Sequence, residues 1–464
     1  MGDKVSGSRF RRLTKIGWLS RRALPIAWAR LRQAGDADRK GRARIAEEIL
    51  EKHADIAEEA FRTLGELKGI ALKVGQMLAY MDGALPEEYR AVYQAVFSRL
   101  LQAAPALPFA SVARVVETEL GRPVAEAFSS FEEKPFAAAS IGQVHRATLP
   151  SGEAVAVKVQ YPGVDKAIAA DMKNVSLFHG MAAPFLGALG KGGMSRNHKE
   201  IIGEIRARLM EELDYTREAE MQMRFRALLA NEPDVEIPRV FERFSTARVL
   251  TTELIVGRTF GEFISAASPD EKNRVGAVLQ RVLFRSLFEL KLFNADPHPG
   301  NYLFPPSGKV VLLDFGCVKV IPDWLADAMR RYFRAGVRAT RTGAAADWAA
   351  FDDAICDALK LNRAEPVTYE IYRAFILYCL RPYLADAEFT FTPDYTGESI
   401  DRVLDGAKRA VFAKGKIPRI PDLPPIPADF TFLNRVQFGL YSVLAMLRAR
   451  GNFHRLLPAD LRET

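Results

Sequence analysis

Apolar positions along the chain fall into regimes of different period. From Ala60 to Tyr80 the residues Phe61, Leu64, Leu67, Ile70, Leu72, Val74, Met77 and Leu78 recur at roughly helical spacing. Gly65, Gly69 and Gly75 interrupt that run, and glycines in a helical pattern mark close approach by another backbone. Residues 37–60, rich in Ala, Glu, Arg and Lys, favour helix. Further helices are predicted over Glu87–Leu101 and residues 110–120, with a loop at Pro105 and Pro108 between them. The first ~120 residues therefore read as all-helical.

The period then changes. Phe136–Leu149 and Glu153–Gln160, split by Pro150, Ser151 and Gly152, predict strand, turn and strand. A helix dense in Glu and Arg is predicted around Asn197–Leu229, followed by strands over Val235–Phe244 and Arg248–Ile255, with Gly257 ending the second. Helix returns at Asp270–Phe293. Tyr302–Phe304 and Val310–Asp314 flank Pro305-Pro306-Ser307-Gly308, a hairpin pattern. From Pro322 onward the pattern is helical. The exception is 382–428, where Pro418, Pro421, Pro424, Pro425 and Pro427 cluster in an extended linker. Val436–Leu447, flanked by Arg435 and Arg448, is too short for the ~18–20 apolar residues of a membrane-spanning helix and reads as a core helix. The order is helices, small sheet, helical lobe.

Composition adds bounds. A chain of 464 residues, 48% hydrophobic and 26% charged, is ordinary globular protein of two to four structural units by the usual ~100–200 residues per domain. Three widely spaced cysteines (Cys317, Cys356, Cys379) fit neither a disulfide framework nor a cysteine zinc site, which points to a reducing compartment. Residues 1–33 hold nine basic side chains and one acid, a balance equal to the +8 of the whole chain. The basic excess thus sits in one arm, whereas a nucleic-acid binder carries its basic stripe on the body. Phe10, Leu13, Ile16, Trp18, Leu19, Leu24, Ile26, Trp28 and Leu31 lie between those charges. Such a segment suits an anionic membrane surface, through residues 9–32, or packing on the body. Its Arg-rich, acid-poor composition also leaves a targeting segment open.

Three short motifs carry chemistry. Lys158 ends Val155-Ala156-Val157-Lys158 on the second strand of the predicted hairpin, where a lysine can reach phosphates. Alone this is a weak signal. Asp296 and Asn301, in DPHPGN, have the D-x4-N spacing of a kinase catalytic loop. A carboxylate at Asp296 can accept or orient a hydroxyl proton, and the Asn301 amide oxygen can ligand magnesium. Asp314-Phe315-Gly316 follows an apolar strand, and its aspartate would hold the metal that bridges phosphates. Strand lysine, D-x4-N, hairpin and DFG in that order is a specific set. The place of a glycine-rich phosphate loop reads AAASIGQV, with only Gly142 left of the glycines. His298, between two prolines, reads as a loop-shaping hydrogen-bond donor, and His145 as satisfying a local backbone group. Neither has a partner at zinc-ligand spacing. By spacing alone, Glu211 and Glu218 are equal candidates to pair with the strand lysine.

AAASIGQVH, with Lys73-Val74-Gly75-Gln76 upstream, VAVK, ELDYxxEA, DPHPGN and LDFG in this order, resembles the UbiB/AarF (ABC1-domain) atypical protein-kinase-like family, over about Leu64–Val320 and more loosely to the end. The resemblance implies an α+β, two-lobed protein-kinase-like fold with an N-terminal helical extension over the cleft. Its parts would be a basic amphipathic arm 1–36, a helical extension 37–129 carrying the KxGQ segment, an N-lobe 130–256 and a helical C-lobe 257–464 with the Pro-rich linker 415–428. It implies ATP and Mg2+ as cofactors. Lys73, Gly75 and Gln76 would belong to the extension's own site elements, and Glu212 and Asp214 would meet them. Ala138, Ala139, Ser140 and Gly142 would line the nucleotide, Glu218 would pair with Lys158, and Glu253 and Leu254 would meet adenine. Asn294 stands where family members often have a histidine that braces the catalytic loop, and the transmembrane helices that end many bacterial relatives are not seen. The implied function is an ATP-binding, Mg-dependent atypical kinase or ATPase in or near isoprenoid-quinone (ubiquinone-type) lipid metabolism. It would be cytoplasmic, peripheral at a membrane surface, with nucleotide and an isoprenoid or quinone-precursor lipid as partners and no nucleic acid. A nucleotide-gated lipid-binding scaffold with little turnover is the alternative, and a small-molecule kinase the third reading.

Overall fold

The computed structural model describes residues 107–139, 141–165, 213–361, 366–395 and 428–462. The basic arm, the KxGQ segment, Ser140, Glu212 and the proline cluster lie outside the described residues. In chain order the elements begin with α1 (Phe109–Leu120), α2 (Val124–Ala127), β1 (Ser130–Phe131), β2 (Ala137–Ala139), β3 (Gly142–Thr148) and β4 (Ala154–Gln160). Next come α3 (Tyr215–Leu228), β5 (Val235–Glu236), β6 (Val249–Glu253), β7 (Arg258–Thr259), α4 (Phe260–Ala266) and α5 (Pro269–Phe284). After a π-helical turn, Arg285–Leu290, follow β8 (Leu292–Asn294), β9 (Tyr302–Phe304), β10 (Val310–Leu312) and β11 (Val318–Val320). The chain closes with α6 (Asp323–Thr342), α7 (Ala345–Leu359), α8 (Pro366–Leu384), β12 (Phe389–Thr390), α9 (Ala428–Leu447), β13 (Arg450–Gly451) and α10 (Ala459–Arg462). They fall into two compact units, one of Met1–Thr216 with Phe241–Thr251, the other of Arg217–Val240 with Thr252–Thr464.

In the first unit, β3 and β4 form an antiparallel hairpin in register from Gly142↔Gln160 to Thr148↔Ala154. Its turn uses Gly152 at φ +96°, a conformation cheap only for glycine. Val155, Val157 and Val159 alternate into one face, as a period of two requires, and bury against Val112 and Val116, one helical turn apart on α1. The same core takes in Ala127, Phe128 and Val249. The α1 helix therefore belongs to the packing of this small sheet. It stops at Gly121, whose left-handed backbone donates to the Glu117 carbonyl.

In the second unit, β5, β10, β9 and β7 make a four-stranded sheet, with β5 parallel and β9 antiparallel to β10. A separate ribbon pairs β8 with β11. Helices α4 and α5 both open on capping boxes, Thr259 with Glu262 and Ser268 with Glu271. Aromatic and aliphatic residues of α5, α6, α7, α8 and α9 form one continuous core.

Three sequence expectations shift here. The strand over Val235–Phe244 shortens to Val235–Glu236, because Pro238 cannot donate to a ladder, and Glu242–Phe244 winds into a 3-10 turn. The helix expected to run to Phe293 ends at Leu290. Lys291 turns left-handed at φ +50°, and Leu292 and Phe293, both buried, continue as strand β8. The otherwise helical end also contains the short ribbon of β12 and β13. Among the described residues no helix is long and apolar enough to cross a membrane.

Candidate functional site

The second unit gathers Asp296, Asn301 and Asp314 into one hydrogen-bonded set. The β8–β11 ribbon places Asn294 opposite Val318, and the Ala295 N–H donates to the Cys317 carbonyl at 2.7 Å. Asn294 then uses both ends of its amide. Its Nδ2 donates to the main-chain carbonyl of Asp314, and its Oδ1 accepts the Asp296 N–H at 3.0 Å. One short side chain thus ties the start of DPHPGN to the DFG aspartate.

The loop is folded on itself beyond this point. The Asp296 carbonyl accepts the His298 N–H at 2.8 Å and Asn301 Nδ2 at 2.9 Å, with Nδ2 also 3.5 Å from Asp296 Oδ2. A carbonyl oxygen can only accept, so the Asn301 amide must turn its nitrogen toward Asp296 and leave its oxygen for a cation or donor. The Leu313 N–H donates to the Asn301 carbonyl at 3.0 Å, which fixes the loop's end against the strand that delivers Asp314. His298 shapes the loop, but as an acceptor: its Nδ1 takes the Gly300 N–H at 2.8 Å. The ring lies so close that a Cβ on Gly300 would stand 2.9 Å from that nitrogen. Burial and the nearby Asp296 carboxylate push the Tyr302 phenol well above its ordinary range, so Tyr302 stays neutral beside the loop.

Asp314 Oδ1 accepts the Gly316 N–H at 2.9 Å, which aims the carboxylate. Phe315 is buried, its ring centroid 5.2 Å from that of Phe225 on α3. The same helix carries Glu218, buried at 4% exposure. A Cβ on Gly316 would lie 3.3 Å from Asp314 Oδ1 and 3.6 Å from Glu218 Oε2, so the two carboxylates flank this glycine. Glu211, the rival candidate by spacing, lies outside the described residues. Among the described residues no three His, Cys, Asp or Glu side chains cluster as a metal cage. Asn301 and Asp314 nevertheless supply hard oxygen donors of the kind magnesium takes in combination with phosphate oxygens.

The first unit holds Lys158, Asp214 and the alanine-rich stretch with Gly142, and the second holds Glu253 and Leu254. Lys158 faces Val144 across the hairpin, and its Nζ sits 4.8 Å from the Tyr215 ring centroid, a cation–π contact. Two residues on, buried Gln160 donates to the carbonyls of Leu213 (2.8 Å) and Ala247 (3.1 Å), which seats the segment leading into α3. Asp214 accepts the Thr216 N–H at 3.0 Å and so caps that helix. The alanine-rich stretch is strand rather than loop: Ala137, Ala138 and Ala139 pair with Val144, Gln143 and Gly142. Gly142 is there for close approach, since a Cβ would stand 2.2 Å from the Val159 carbonyl oxygen. At the end of β6, Glu253 and Arg239 exchange bonds, Glu253 N–H to the Arg239 carbonyl at 2.8 Å and Arg239 N–H to Glu253 Oε2 at 3.2 Å. Leu254, half-buried, begins the irregular stretch that follows.

His145 does satisfy a nearby backbone group, and it does so within a network that the sequence does not announce. Gln143 and His145 are buried on β3. His145 Nδ1 lies 2.7 Å from the Glu132 carbonyl, so it carries the proton, and Nε2 accepts from Gln143 Nε2 at 2.8 Å. Gln143 Oε1 in turn takes the Leu107 N–H at 2.9 Å. Burial lowers the His145 pKa and keeps the ring neutral. Two polar residues at i and i+2 on an otherwise apolar strand face were the available signal.

A strand lysine in one unit, and in the other a D-x4-N loop knotted to a DFG strand, define the protein-kinase-like class. The ABC1 atypical kinase-like domain matches residues 99–346, more than half the chain. The chain belongs to that family. It is 36% identical over 272 residues to the atypical kinase COQ8B, mitochondrial, of Danio rerio, a match covering 58% of this chain and 42% of that protein. It is 36% identical over 253 residues to the atypical kinase COQ8, mitochondrial, of Saccharomyces cerevisiae, covering 54% and 48%. The chain thus spans less than half the length of these relatives. Among solved structures, the Rv3197–erythromycin complex from Mycobacterium tuberculosis is similar at TM-score 0.59 and 28% identity, covering 91% of this chain and all of that one. The fold is a kinase-like mixture of helices and sheets, and the family implies nucleotide binding.

Proposed function

We propose that this protein binds ATP with magnesium and acts as an atypical kinase or ATPase in isoprenoid-quinone lipid metabolism. The observation that carries the reading is the bonded set of Asn294, Asp296, Asn301 and Asp314, which holds a carboxylate and two oxygen donors in fixed relation. Magnesium, when bound, would neutralise charge on the transferring phosphoryl group, and Asn301 and Asp314 are the residues that would hold it. Asp296 would accept or orient the proton of the attacking hydroxyl or water. Lys158 is the phosphate lysine and Glu218 its carboxylate partner. Ala138, Ala139, Ser140, Gly142, Glu253 and Leu254 are assigned to the nucleotide, and Lys73, Gly75 and Gln76 with Glu212 and Asp214 to the family's extension. The family match and the relatives named atypical kinases support these assignments. An isoprenoid or quinone-precursor lipid, reached at an anionic membrane surface through residues 9–32, is the proposed partner.

One observation favours a second reading. The backbone of Ala137–Ala139 is engaged in pairing with β3, where a glycine-rich loop would instead wrap phosphates. A nucleotide-gated lipid-binding scaffold would need no more than that. The experiment is ATP consumption with magnesium, with and without anionic liposomes or phenolic quinone precursors. Phosphate release or a phosphorylated acceptor supports the kinase or ATPase. Nucleotide binding without turnover in every condition overturns it in favour of the scaffold.

A further inference from the structure

The α9 helix lies beyond the matched residues 99–346, yet it meets the Asp296–Asn301 loop. Gly439, near its middle, faces Pro297. A Cβ at Gly439 would stand 2.6 Å from Pro297 Cγ and 3.4 Å from its Cδ. Carbon atoms in contact keep about 3.5–4.0 Å apart, so any side chain there must displace the loop or the helix. Glycine is among the poorest residues for a helix interior, which makes its presence here a matter of space.

The helix has little room to yield. Tyr441 donates its hydroxyl to the Cys379 carbonyl on α8, and Gln437 donates to the same carbonyl at 3.0 Å. Just past the end of α9, Ala449 crowds Gly276 of α5, where a Cβ would meet the Ala449 Cβ at 2.5 Å. With α9 pinned to α8 and α5, a push at Gly439 goes into Pro297. That residue directly follows Asp296, whose carbonyl holds both the His298 N–H and Asn301 Nδ2.

We propose that Gly439 is a positioning residue for Asp296: α9 is the backstop on which Pro297 seats, and it sets where the Asp296 carboxylate stands. The inference rests on the reading of Asp296 as the proton-accepting group. Its structural half is tested without nucleotide, by hydrogen exchange of the His298 and Asn301 amides in the full chain. Gly439→Ala should speed their exchange by about tenfold, because local opening now relieves a clash. Gly261→Ala, in α4 with nothing within 4 Å of the new Cβ, should leave them unchanged. In a Pro297→Ala background, which removes Cγ, the Gly439→Ala effect should shrink to within about twofold, as expected when one contact carries the coupling. Turnover of Mg-ATP should fall roughly tenfold in Gly439→Ala with nucleotide affinity kept within about twofold, the mark of lost positioning. Unchanged exchange in Gly439→Ala, or an equal effect in both backgrounds, overturns the proposal. If exchange responds to Gly439→Ala as described but the wild type neither binds nor turns over Mg-ATP, the nucleotide reading is overturned instead, and the seat of Pro297 on α9 stands.

Discussion

Asn294 donates to the main-chain carbonyl of Asp314 while accepting the Asp296 N–H, so the proposed proton acceptor and metal ligand are held by a single amide. A donor and an acceptor are needed together. Asn294→Ala loses both and should lower stability by about 2 kcal/mol, since a partly buried N–H and C=O lose their partners. Asn294→Asp keeps only the acceptor. A neutral imidazole keeps one of each, so Asn294→His should match wild type above pH ~7 and lose Mg-nucleotide binding as pH falls through the ordinary imidazole value near 6.5. Thermal shift with Mg-ATP across pH 5.5–8 checks this, with wild type flat over the same range at this site. A His variant as flat as wild type would remove the two-bond role.

Asp314→Asn should weaken Mg-nucleotide binding about tenfold or more, because a charged hard oxygen ligand is replaced by a neutral one. The measurement is titration with nucleotide in the presence and absence of magnesium. An unchanged magnesium dependence would detach Asp314 from the metal.

Asp296→Asn should leave Mg-ATP affinity nearly intact and reduce turnover by roughly 10²–10⁴, the usual contribution of a positioned acid or base. Equal losses in affinity and turnover would make Asp296 a structural residue of its loop.

Gly142→Ala places a methyl 2.2 Å from the Val159 carbonyl oxygen, a backbone atom that cannot turn aside. Overpacking of this kind costs about 1–3 kcal/mol, and the upper end is expected here. Chemical denaturation followed by tryptophan-independent far-UV signal reads it. A loss below about 0.5 kcal/mol would mean that the hairpin relaxes freely.

His145 predicts a pH dependence of stability. Its folded pKa lies below the ordinary 6.5, so between the two values the unfolded chain binds more protons than the folded one. Stability contributed by the neutral ring is therefore full above about pH 6.5 and is lost as pH falls toward the folded value. Urea midpoints between pH 7.5 and 5.5 should decline in wild type, and His145→Gln should flatten part of that slope. An identical slope in both chains would assign it to other groups.

Much of this site could be read from residue order. DPHPGN and DFG are short, local motifs whose chemistry depends on spacing, and hairpins such as β9–β10 announce themselves through Pro-Pro-Ser-Gly. Contacts between distant segments were hidden. Nothing in a linear pattern says that Asn294 reaches Asp314, twenty residues away, or that Gly439 meets Pro297. The alanine run carries two readings, strand by its pattern and loop by its place ahead of the lysine strand: small residues permit both, and pairing with β3 makes Ala137–Ala139 strand. Helix Asp270–Phe293 was overrun because its apolar period continues into Leu292 and Phe293, which are buried as strand.

The π-helical turn Arg285–Leu290 has a consequence for chain length. A π turn is a helix with one residue to spare, and here the surplus is spent just before Lys291 reverses the chain into β8. Deleting any single residue from 285–290 would let the helix relax to the ordinary α winding with no gross loss of hydrogen bonds. Because the residue lost is the surplus one, strand β8 would still enter the ribbon in register, with Asn294 opposite Val318. A one-residue deletion should thus be far better tolerated in this helical segment, which bears no motif, than between Asp296 and Asn301, where the spacing itself carries the site.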